Sequence, residues 1–238
     1  MAEQKTKVVI MIPTYNEAGN IEALVREIMS LPLGHDLSVL VVDDDSPDGT
    51  GEIVARLAAE DARIRLLTRK EKRGRGLAGI EGFKQSLSLR ADYIIEMDGD
   101  GSHQPRFIPA LLEQARTSDL VIGSRYVQGG KDSDRPFYRR FITFLARNYI
   151  RRRFGLRVRD ISSGFRCFRR AVLEKIGLDG LISVGPSVVL EILDRAHRLN
   201  FRITEVPIFF LERKAGQTKL TARTLLQTFF MTFKFRRA

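Results

Sequence analysis

Five runs of mostly apolar residues, separated by segments with helical periodicity, constrain the fold of this chain most strongly. The runs span residues 7–13, 37–42, 64–67, 93–95 and 120–122. Continuous apolarity of this kind is typical of strands that are covered on both faces. The segments with helical spacing are 20–31, 51–62, 77–89 and 105–116. Strand and helix therefore alternate up to residue 122, which predicts an α/β protein with a doubly wound, mainly parallel sheet.

The composition indicates a folded protein with a core of its own. At 238 residues and 43% hydrophobic content, the chain is long enough to bury a sizeable core, most simply as one domain. The single cysteine, Cys167, cannot form an internal disulfide and is expected to be a small core side chain. No signal-peptide pattern precedes the first apolar run, and no run approaches the roughly 20 residues of a transmembrane helix. We therefore expect a cytoplasmic protein without a membrane span.

The positive charge is concentrated in one segment. The chain has a formal net charge of +11, with 40 Lys and Arg against 29 Asp and Glu. Residues 125–170 hold 14 of these basic residues and 3 of the acidic ones, so this fifth of the chain accounts for the whole surplus. A surplus of this size in one segment predicts an anionic partner for it.

The same segment contains a predicted basic amphipathic helix. Phe137, Phe141, Phe144, Leu145 and Tyr149 recur at helical spacing and are interleaved with arginines. Beyond this helix we expect a loop at 160–166, a helix at 188–199, a strand at 203–210 and a basic loop at 212–219. The stretch that ends the chain is again aromatic and basic.

Two carboxylates follow the fourth apolar run. Asp98 and Asp100 flank Gly99, directly after the strand predicted at 93–95. Asp and Gly are ordinary turn residues, so the pair by itself is compatible with a structural turn. Carboxylates at i and i+2, with glycines that let a ligand approach the backbone, also suit a divalent cation. The neighbouring motifs decide between these interpretations.

Further polar stretches follow other predicted strands and therefore meet at the same edge of the sheet. They are Pro-Thr-Tyr-Asn-Glu at 13–17, Val-Asp-Asp-Asp-Ser-Pro-Asp-Gly-Thr at 42–50 and Gly-Ser-Arg-Tyr at 123–126. Met-Asp-Gly-Asp-Gly-Ser-His at 97–103, Ser-Gly-Phe-Arg at 163–166 and Arg-x-x-Gly-x-Thr-Lys at 213–219 complete the set. In this order the motifs resemble the family 2 inverting glycosyltransferases, which have the nucleotide-diphospho-sugar transferase (GT-A type) fold. Within that family the chain is most similar to the dolichyl-phosphate (polyprenyl-phosphate) mannosyltransferases.

The resemblance covers nearly the whole chain and implies its domain organisation. It implies a glycosyltransferase catalytic domain over residues 1–215. We expect residues 216–238 to form a basic amphipathic segment at the membrane surface.

The resemblance also implies a donor site at the strand ends. The family positions that hold the nucleoside correspond to Pro13, Tyr15, Glu17, Val42 and Asp44. A ring packs there, and carboxylates accept hydrogen bonds from the base or the ribose. Arg213 and Lys219 match positions that contact the donor diphosphate or belong to a closing loop.

The resemblance assigns the acidic pair to a cation. Asp98, Gly99 and Asp100 match the family's Asp-x-Asp motif, with Asp100 as the direct ligand of Mg²⁺ or Mn²⁺ and Asp98 near the ribose, the metal or both. Ser102 is a third metal position, acting directly or through water. Such a cation bridges the diphosphate and neutralises charge on the leaving group, so both aspartates count as catalytic. We expect His103 to be structural.

The resemblance places an acceptor phosphate in the basic segment. Arg125, Arg139 and Thr143 match the positions that contact it, and an arginine fork suits a phosphate dianion. Arg125 is also assigned a catalytic role. A phosphomonoester has a second pKa of about 6, so a polyprenyl phosphate is already a nucleophilic anion at neutral pH and requires no general base.

We therefore expect metal-dependent, inverting transfer of mannose from GDP-mannose to a polyprenyl (dolichyl) phosphate. Transfer of glucose from UDP-glucose to the same acceptor is the next alternative. The amphipathic helix predicts a peripheral enzyme on an anionic membrane surface, on the cytosolic face, with a membrane-anchoring partner protein as a further possibility. Glu191, on the helix at 188–199, is interpreted as orienting basic loops.

Three competing interpretations remain. Residues 74–79 satisfy Gly-x-Gly-x-x-Gly but follow the third strand, so we interpret these glycines as opening a helix beside the nucleotide site and not as a dinucleotide motif. The arginine-rich segment would suit nucleic acid, yet its aromatic residues share a helical face that fits lipid better, so we expect no nucleic-acid partner. A soluble family 2 transferase with another acceptor would leave the localised charge unexplained.

Overall fold

The computed structural model describes residues 5–71, 73–132 and 137–211, with the side chains of residues 137–140 excepted. Arg213, Lys219, the boundary at 215 and the C-terminal segment lie outside the described residues, so their roles stay predictions. In the described part of the chain, no helix is both long enough and apolar enough to cross a membrane.

A seven-stranded sheet forms the centre of the molecule. Its strands are β1 (Lys7–Thr14), β2 (Asp36–Asp43), β3 (Ile64–Thr68), β4 (Tyr93–Glu96), β5 (Leu120–Ser124), β6 (Arg166–Arg169) and β7 (Ile203–Pro207). The α-helices are α1 (Ile21–Met29), α2 (Thr50–Glu60), α3 (Arg75–Ser88), α4 (Ile108–Ala115), α5 (Phe137–Phe154), α6 (Arg170–Lys175) and α7 (Val188–Arg198). Short 3₁₀ turns cover Pro105–Phe107 and Leu178–Gly180. Strand and helix alternate up to β5, which confirms the predicted doubly wound α/β fold.

The strand order creates a crevice at the centre of the sheet. The order is β3-β2-β1-β4-β6-β5-β7, so the chain moves outward from β1 to β3 and then returns to pair β4 with the other side of β1. Such a switch in direction separates the loops that follow the two adjacent strands. The loop after β1 and the Asp98–Asp100 turn after β4 therefore face each other across this crevice.

The antiparallel strand β6 is the part of the sheet that the sequence analysis missed. It has four residues, begins and ends with an arginine, and carries only Cys167 and Phe168 as apolar residues, which is too little for a period or a run to stand out. It pairs antiparallel with both β4 and β5, with Arg166 opposite Glu96 at the end of β4. As a result, the loop 160–165 enters the sheet at the same edge as the Asp98–Asp100 turn.

The core lies on both faces of the sheet, as the continuous apolar runs predicted. One layer packs α3, α6 and α7 against side chains such as Met11 and Phe168. The other packs α1, α2 and α4 against alternating residues such as Ile10 and Ile12. Cys167 is fully buried in this second layer, and burial raises the pKa of its thiol, which makes it an unreactive core residue.

Candidate active site

A cavity of about 390 Å³ opens at the carboxyl end of the sheet, between the loops that follow β1, β2 and β4 and the start of α3. Seven of its lining residues were predicted for the donor or metal site: Pro13, Tyr15, Glu17, Asp44, Asp98, Gly99 and Asp100. The remaining lining residues are Thr14, Arg73, Gly74, Arg75 and Ala78, which the sequence analysis did not assign. The motifs that follow β1, β2 and β4 therefore converge on one pocket.

The loops after β1 and β2 are joined by side-chain hydrogen bonds. Asp43 is buried and accepts hydrogen bonds from the hydroxyls of Thr14, at 3.0 Å, and Ser46, at 2.6 Å. Ser46 in turn accepts a hydrogen bond from the backbone N–H of Asn16, and Thr50 accepts one from that of Glu17. These bonds fix the backbone of residues 14–17, which carries the predicted nucleoside contacts.

Asp44 connects the second loop to the start of α3. Its carboxylate accepts a 2.6 Å hydrogen bond from the backbone N–H of Gly74 and forms a largely buried ion pair with Arg69. Gly74 has a φ of +143°, a conformation that favours glycine, so this close approach depends on the residue type. The Gly74–Gly79 motif opens the helix beside the pocket, in line with the interpretation that we gave it.

Arg75 is the charged residue at the acidic turn that the sequence analysis missed. Its guanidinium donates to the carboxylate of Asp98 from Nε at 3.2 Å and from Nη2 at 2.6 Å. Its Nη1 lies 3.6 Å from Oε1 of the buried Glu96. Burial acts to lower the pKa of Arg75, but the two carboxylates outweigh it and hold the pKa above its usual value. Burial raises the pKa of Glu96, and Arg75 opposes that rise.

Asp100 is held by its own turn. Its Oδ1 accepts hydrogen bonds from the backbone N–H of Ser102 at 3.0 Å and from the Ser102 hydroxyl at 2.5 Å. Gly101 has a φ of +75°, which reverses the chain between the two residues. Ser102 is fully buried and does not line the cavity, so in this structure its hydroxyl orients Asp100.

His103 is hydrogen-bonded to the backbone of the acidic turn. Its Nδ1 accepts a 3.0 Å hydrogen bond from the backbone N–H of Asp98, and its ring stacks on Phe165 and meets the edge of Phe210. Burial lowers the pKa of His103, although the charge of Asp98 opposes this. A neutral, buried imidazole with this bond fits the structural role expected of it.

Arg125 lies beside the cavity but does not line it. It forms a buried ion pair with Asp160, and its Nη2 also donates to the hydroxyl of Ser162 at 2.9 Å. Asp132 lies 3.8 Å from its Nη1. Burial acts to lower the pKa of Arg125, but the hydrogen bonds to Asp160 outweigh it and raise the pKa overall. The backbone N–H groups of residues 159 and 160 donate to Glu205, which holds this loop in place.

The other assigned residues are distributed unevenly around the site. Val42 is fully buried in β2 and does not reach the cavity. It packs under α3, where a Cβ built on Gly82 would lie 3.0 Å from a methyl group of Val42. Thr143 is half-buried on α5. Arg139 is in the first turn of the same helix, and its side chain is among those not described.

Glu191 orients a loop, although not a basic one. Its carboxylate accepts hydrogen bonds from the backbone N–H groups of Ile182 and Ser183 and pairs with Arg195 at 2.9 Å. A Cβ on Gly76 would lie 2.6 Å from the carbonyl oxygen of Gly185, so the loop held by Glu191 packs directly on the first turn of α3. The interpretation of Glu191 is corrected accordingly.

The donor atoms at the acidic turn fit Mg²⁺ or Mn²⁺. Among the described residues, no three His, Cys, Asp or Glu side chains cluster as a complete metal site. Asp98 and Asp100 both line the cavity, however, and Mg²⁺ in nucleotide enzymes is held by one or two carboxylates together with substrate phosphates and water. Two carboxylates beside a nucleotide-sized cavity are therefore sufficient protein ligands for such a cation.

Comparison with known proteins gives the family to which this fold and site belong. Residues 9–177 match the family model "Glycosyl transferase family 2". The chain is 43% identical over 215 residues to the undecaprenyl-phosphate mannosyltransferase of Micrococcus luteus, covering 90% of this chain and 88% of that protein. It is 38% identical over 227 residues to the polyprenol monophosphomannose synthase of Mycolicibacterium smegmatis, covering 94% and 84%. The chain thus belongs to glycosyltransferase family 2 and is an enzyme of that family.

Solved structures agree with the fold. The glucosyl-3-phosphoglycerate synthase of Mycobacterium tuberculosis, in a complex with Mn²⁺, UDP-glucose and phosphoglyceric acid, superposes with a TM-score of 0.72. That alignment covers 97% of this chain and 79% of the other, at 19% sequence identity. The GT-A type architecture predicted from the sequence is confirmed.

Proposed function

We propose that this protein transfers mannose from GDP-mannose to a polyprenyl phosphate, with inversion at the anomeric carbon and with Mg²⁺ or Mn²⁺ as cofactor. One observation carries the proposal: the Asp98–Asp100 turn and the loops after β1 and β2 line one cavity. Relatives named undecaprenyl-phosphate mannosyltransferase and polyprenol monophosphomannose synthase support the sugar and the acceptor. A structural neighbour with Mn²⁺ and UDP-glucose supports the use of a divalent cation.

Different residues of the cavity are proposed to bind different parts of the nucleotide-sugar donor. The ring of Tyr15, which is 36% exposed, and the carboxylates of Glu17 and Asp44 provide a packing surface and acceptors for a nucleoside. Asp98 and Asp100 would hold the cation, which supplies positive charge to the leaving diphosphate. Ser102 keeps Asp100 in position through its 2.5 Å hydrogen bond.

The acceptor side needs positioning and charge compensation. A polyprenyl phosphate oxygen is ionised near neutral pH, since its second pKa is about 6, and can attack the anomeric carbon as the bond to the nucleoside diphosphate breaks. Its oxygen forms the new glycosidic bond, and the electron pair of the broken bond leaves with the diphosphate. Arg125, whose guanidinium is held by Asp160, is assigned to stabilise the acceptor phosphate together with Arg139 and Thr143.

We further propose that α5 rests on an anionic membrane surface. Phe141, Phe144, Leu145 and Tyr149 on this helix are each between 42% and 51% exposed, at spacings of three and four residues. Three arginines follow in its last turn. Exposed apolar side chains with adjacent positive charge suit the boundary between head groups and acyl chains.

A donor screen tests the proposed activity. The protein would be incubated with GDP-mannose, UDP-glucose or other nucleotide sugars, a short polyprenyl phosphate, and Mg²⁺, Mn²⁺ or EDTA. We expect product only from GDP-mannose with a cation present. Asp100→Asn should abolish transfer while circular dichroism stays unchanged. Turnover from UDP-glucose alone would favour the glucosyltransferase alternative, and transfer in EDTA would contradict the cation assignment.

A further inference from the structure

Arg75 and Asp98 form an ion pair at the place where the proposed cofactor needs a carboxylate. We propose that Arg75 competes with the divalent cation for Asp98, so that the cation binds tightly only together with the nucleotide diphosphate, and that Glu96 receives the guanidinium when this happens. The inference rests on the cation dependence of the proposed function, but not on the identity of the sugar or the acceptor.

The first argument is that Asp98 already forms an ion pair with Arg75. Two nitrogens of Arg75 contact the same oxygen, Oδ1 of Asp98, at 2.6 and 3.2 Å. The two side chains are only 30% and 26% exposed, so solvent screens their charges less than it would on an open surface. A cation that approaches Asp98 alone must therefore displace Arg75 or bind next to a positive charge. Either event weakens cation binding.

The second argument is that Arg75 has a second carboxylate within reach. Its Nη1 lies 3.6 Å from Oε1 of Glu96, which is 2% exposed. A shift of about one ångström would turn this contact into a hydrogen bond, so releasing Asp98 does not leave a partly buried guanidinium without an acceptor. The negative charge of a bound diphosphate compensates the extra positive charge of the cation, which couples the two binding events.

The third argument is the room left by Gly164. A Cβ built on Gly164 would lie 2.4 Å from Nη2 of Arg75 and 3.7 Å from Oδ1 of Asp98. The loop 160–166 thus borders the guanidinium and leaves it space in its present position only because residue 164 has no side chain. Gly164→Ala would move Arg75 from Asp98 without removing a charge, and it is therefore a second, independent test.

The experiment measures Mn²⁺ binding and not turnover. Free Mn²⁺ would be followed by electron paramagnetic resonance during titration of the full chain, without nucleotide and then with saturating GDP or, in a parallel arm, UDP. For the unchanged protein we expect a markedly lower Kd in the presence of the matching nucleotide. Arg75→Gln should lower the Kd for Mn²⁺ alone by roughly tenfold, within the range typical of coupled sites. Gly164→Ala should shift it in the same direction.

Two further variants sharpen the test. Arg73→Gln removes a positive charge from the same cavity, where Arg73 pairs with Asp45 at 2.6 Å, and should change the Kd for Mn²⁺ alone much less than Arg75→Gln. Glu96→Gln removes the negative charge that would receive the guanidinium and should weaken Mn²⁺ binding in the presence of nucleotide. If Arg75 only held Asp98 in place, its replacement would not raise the affinity for Mn²⁺. The higher affinity expected of Arg75→Gln therefore distinguishes competition from such a structural role.

The outcomes separate this inference from the proposed function. If Mn²⁺ binds equally with and without either nucleotide, or if Arg75→Gln and Gly164→Ala bind Mn²⁺ alone as weakly as the unchanged protein, competition by Arg75 is overturned. The cation-dependent activity would still stand in that case. If no Mn²⁺ binds even with nucleotide, the cofactor assignment fails as well.

Discussion

Asp160 accepts hydrogen bonds from two nitrogens of the Arg125 guanidinium, from Nε at 2.8 Å and from Nη2 at 2.9 Å. The same carboxylate accepts a hydrogen bond from the backbone N–H of Arg125 at 3.1 Å. Asp160 is completely buried, so the pair is well shielded from solvent. A planar, bidentate pair of this kind fixes the direction of the guanidinium, which a single contact would not do. Asp160 is thus the residue that orients Arg125.

Removing the charge of Asp160 should destabilise the fold and misplace Arg125. We expect Asp160→Asn to lower the free energy of unfolding by about 3 kcal/mol, because it leaves a buried guanidinium without the carboxylate that pairs with it at hydrogen-bond distance. Urea denaturation at pH 7 measures this. Glu113→Gln is the control, since its pair with Arg116 is exposed and should contribute less than about 1 kcal/mol. Equal losses in the two variants would contradict the assignment.

The same pair predicts a pH dependence. Burial acts to raise the pKa of Asp160, but the hydrogen bonds and charge of Arg125 outweigh it and place the pKa below the ordinary 3.8. A carboxylate with a lowered pKa in the folded state stabilises the fold fully above the unfolded value and loses this contribution as the pH falls further. The difference in unfolding free energy between the unchanged protein and Asp160→Asn should therefore shrink below about pH 3.8. A constant difference from pH 7 to 3 would rule out this origin.

Ser102→Ala tests whether the hydroxyl orients Asp100. Partners that orient a metal ligand typically contribute 10- to 100-fold to metal affinity. We therefore expect Ser102→Ala to weaken Mn²⁺ binding in the presence of GDP by roughly tenfold, with activity restored at high Mn²⁺ concentration. Asp100→Asn should not be rescued in this way. If Ser102→Ala were as inactive as Asp100→Asn at every Mn²⁺ concentration, Ser102 would be a direct ligand.

Substitutions of Gly101 test the backbone geometry of the acidic turn. A Cβ at this position would meet no atom within 4 Å, but the φ of +75° strains any residue with a side chain. Gly101→Ala should therefore cost about 1–2 kcal/mol of stability, and Gly101→Asn less, because asparagine tolerates this region better. Gly19→Ala is the matched control, since Gly19 has equal space without a positive φ. Thermal unfolding compares the three variants, and similar losses at Gly19 and Gly101 would show that backbone strain is not the cause.

The parts of the fold that could be predicted are those with local signals. Apolar runs identified β1 to β5. Of these strands, β1, β2, β4 and β5 are covered on both faces, and the edge strand β3 is partly exposed. The Asp98–Asp100 motif identified the acidic turn. Strand β6 was not predicted because its four residues are held by partners far away in sequence. The role of Arg75 was not predicted for a similar reason. Its contact with Asp98 spans 23 positions and depends on how the Gly74 turn is directed, which the pattern of residues does not encode.

Membrane association depends on the exposed apolar face of α5. Phe141 and Leu145 are each 51% exposed and lie one turn apart. Burying the exposed half of each side chain in the acyl boundary contributes about 1 kcal/mol, so Phe141→Ser with Leu145→Ser should clearly reduce recovery with anionic liposomes in a flotation gradient. The unchanged protein should float with anionic liposomes, less with neutral ones, and not without lipid.

Leu199→Ser is the matched control for this surface. Leu199 is 48% exposed and follows α7, outside the basic segment at residues 125–170, so its replacement should leave flotation unchanged. An equal decrease in both variants would mean that exposed apolar side chains act without regard to position. Equal recovery of the unchanged protein with and without lipid would contradict membrane association altogether. A decrease confined to the α5 variant would mean that the apolar face of this helix makes the contact with lipid.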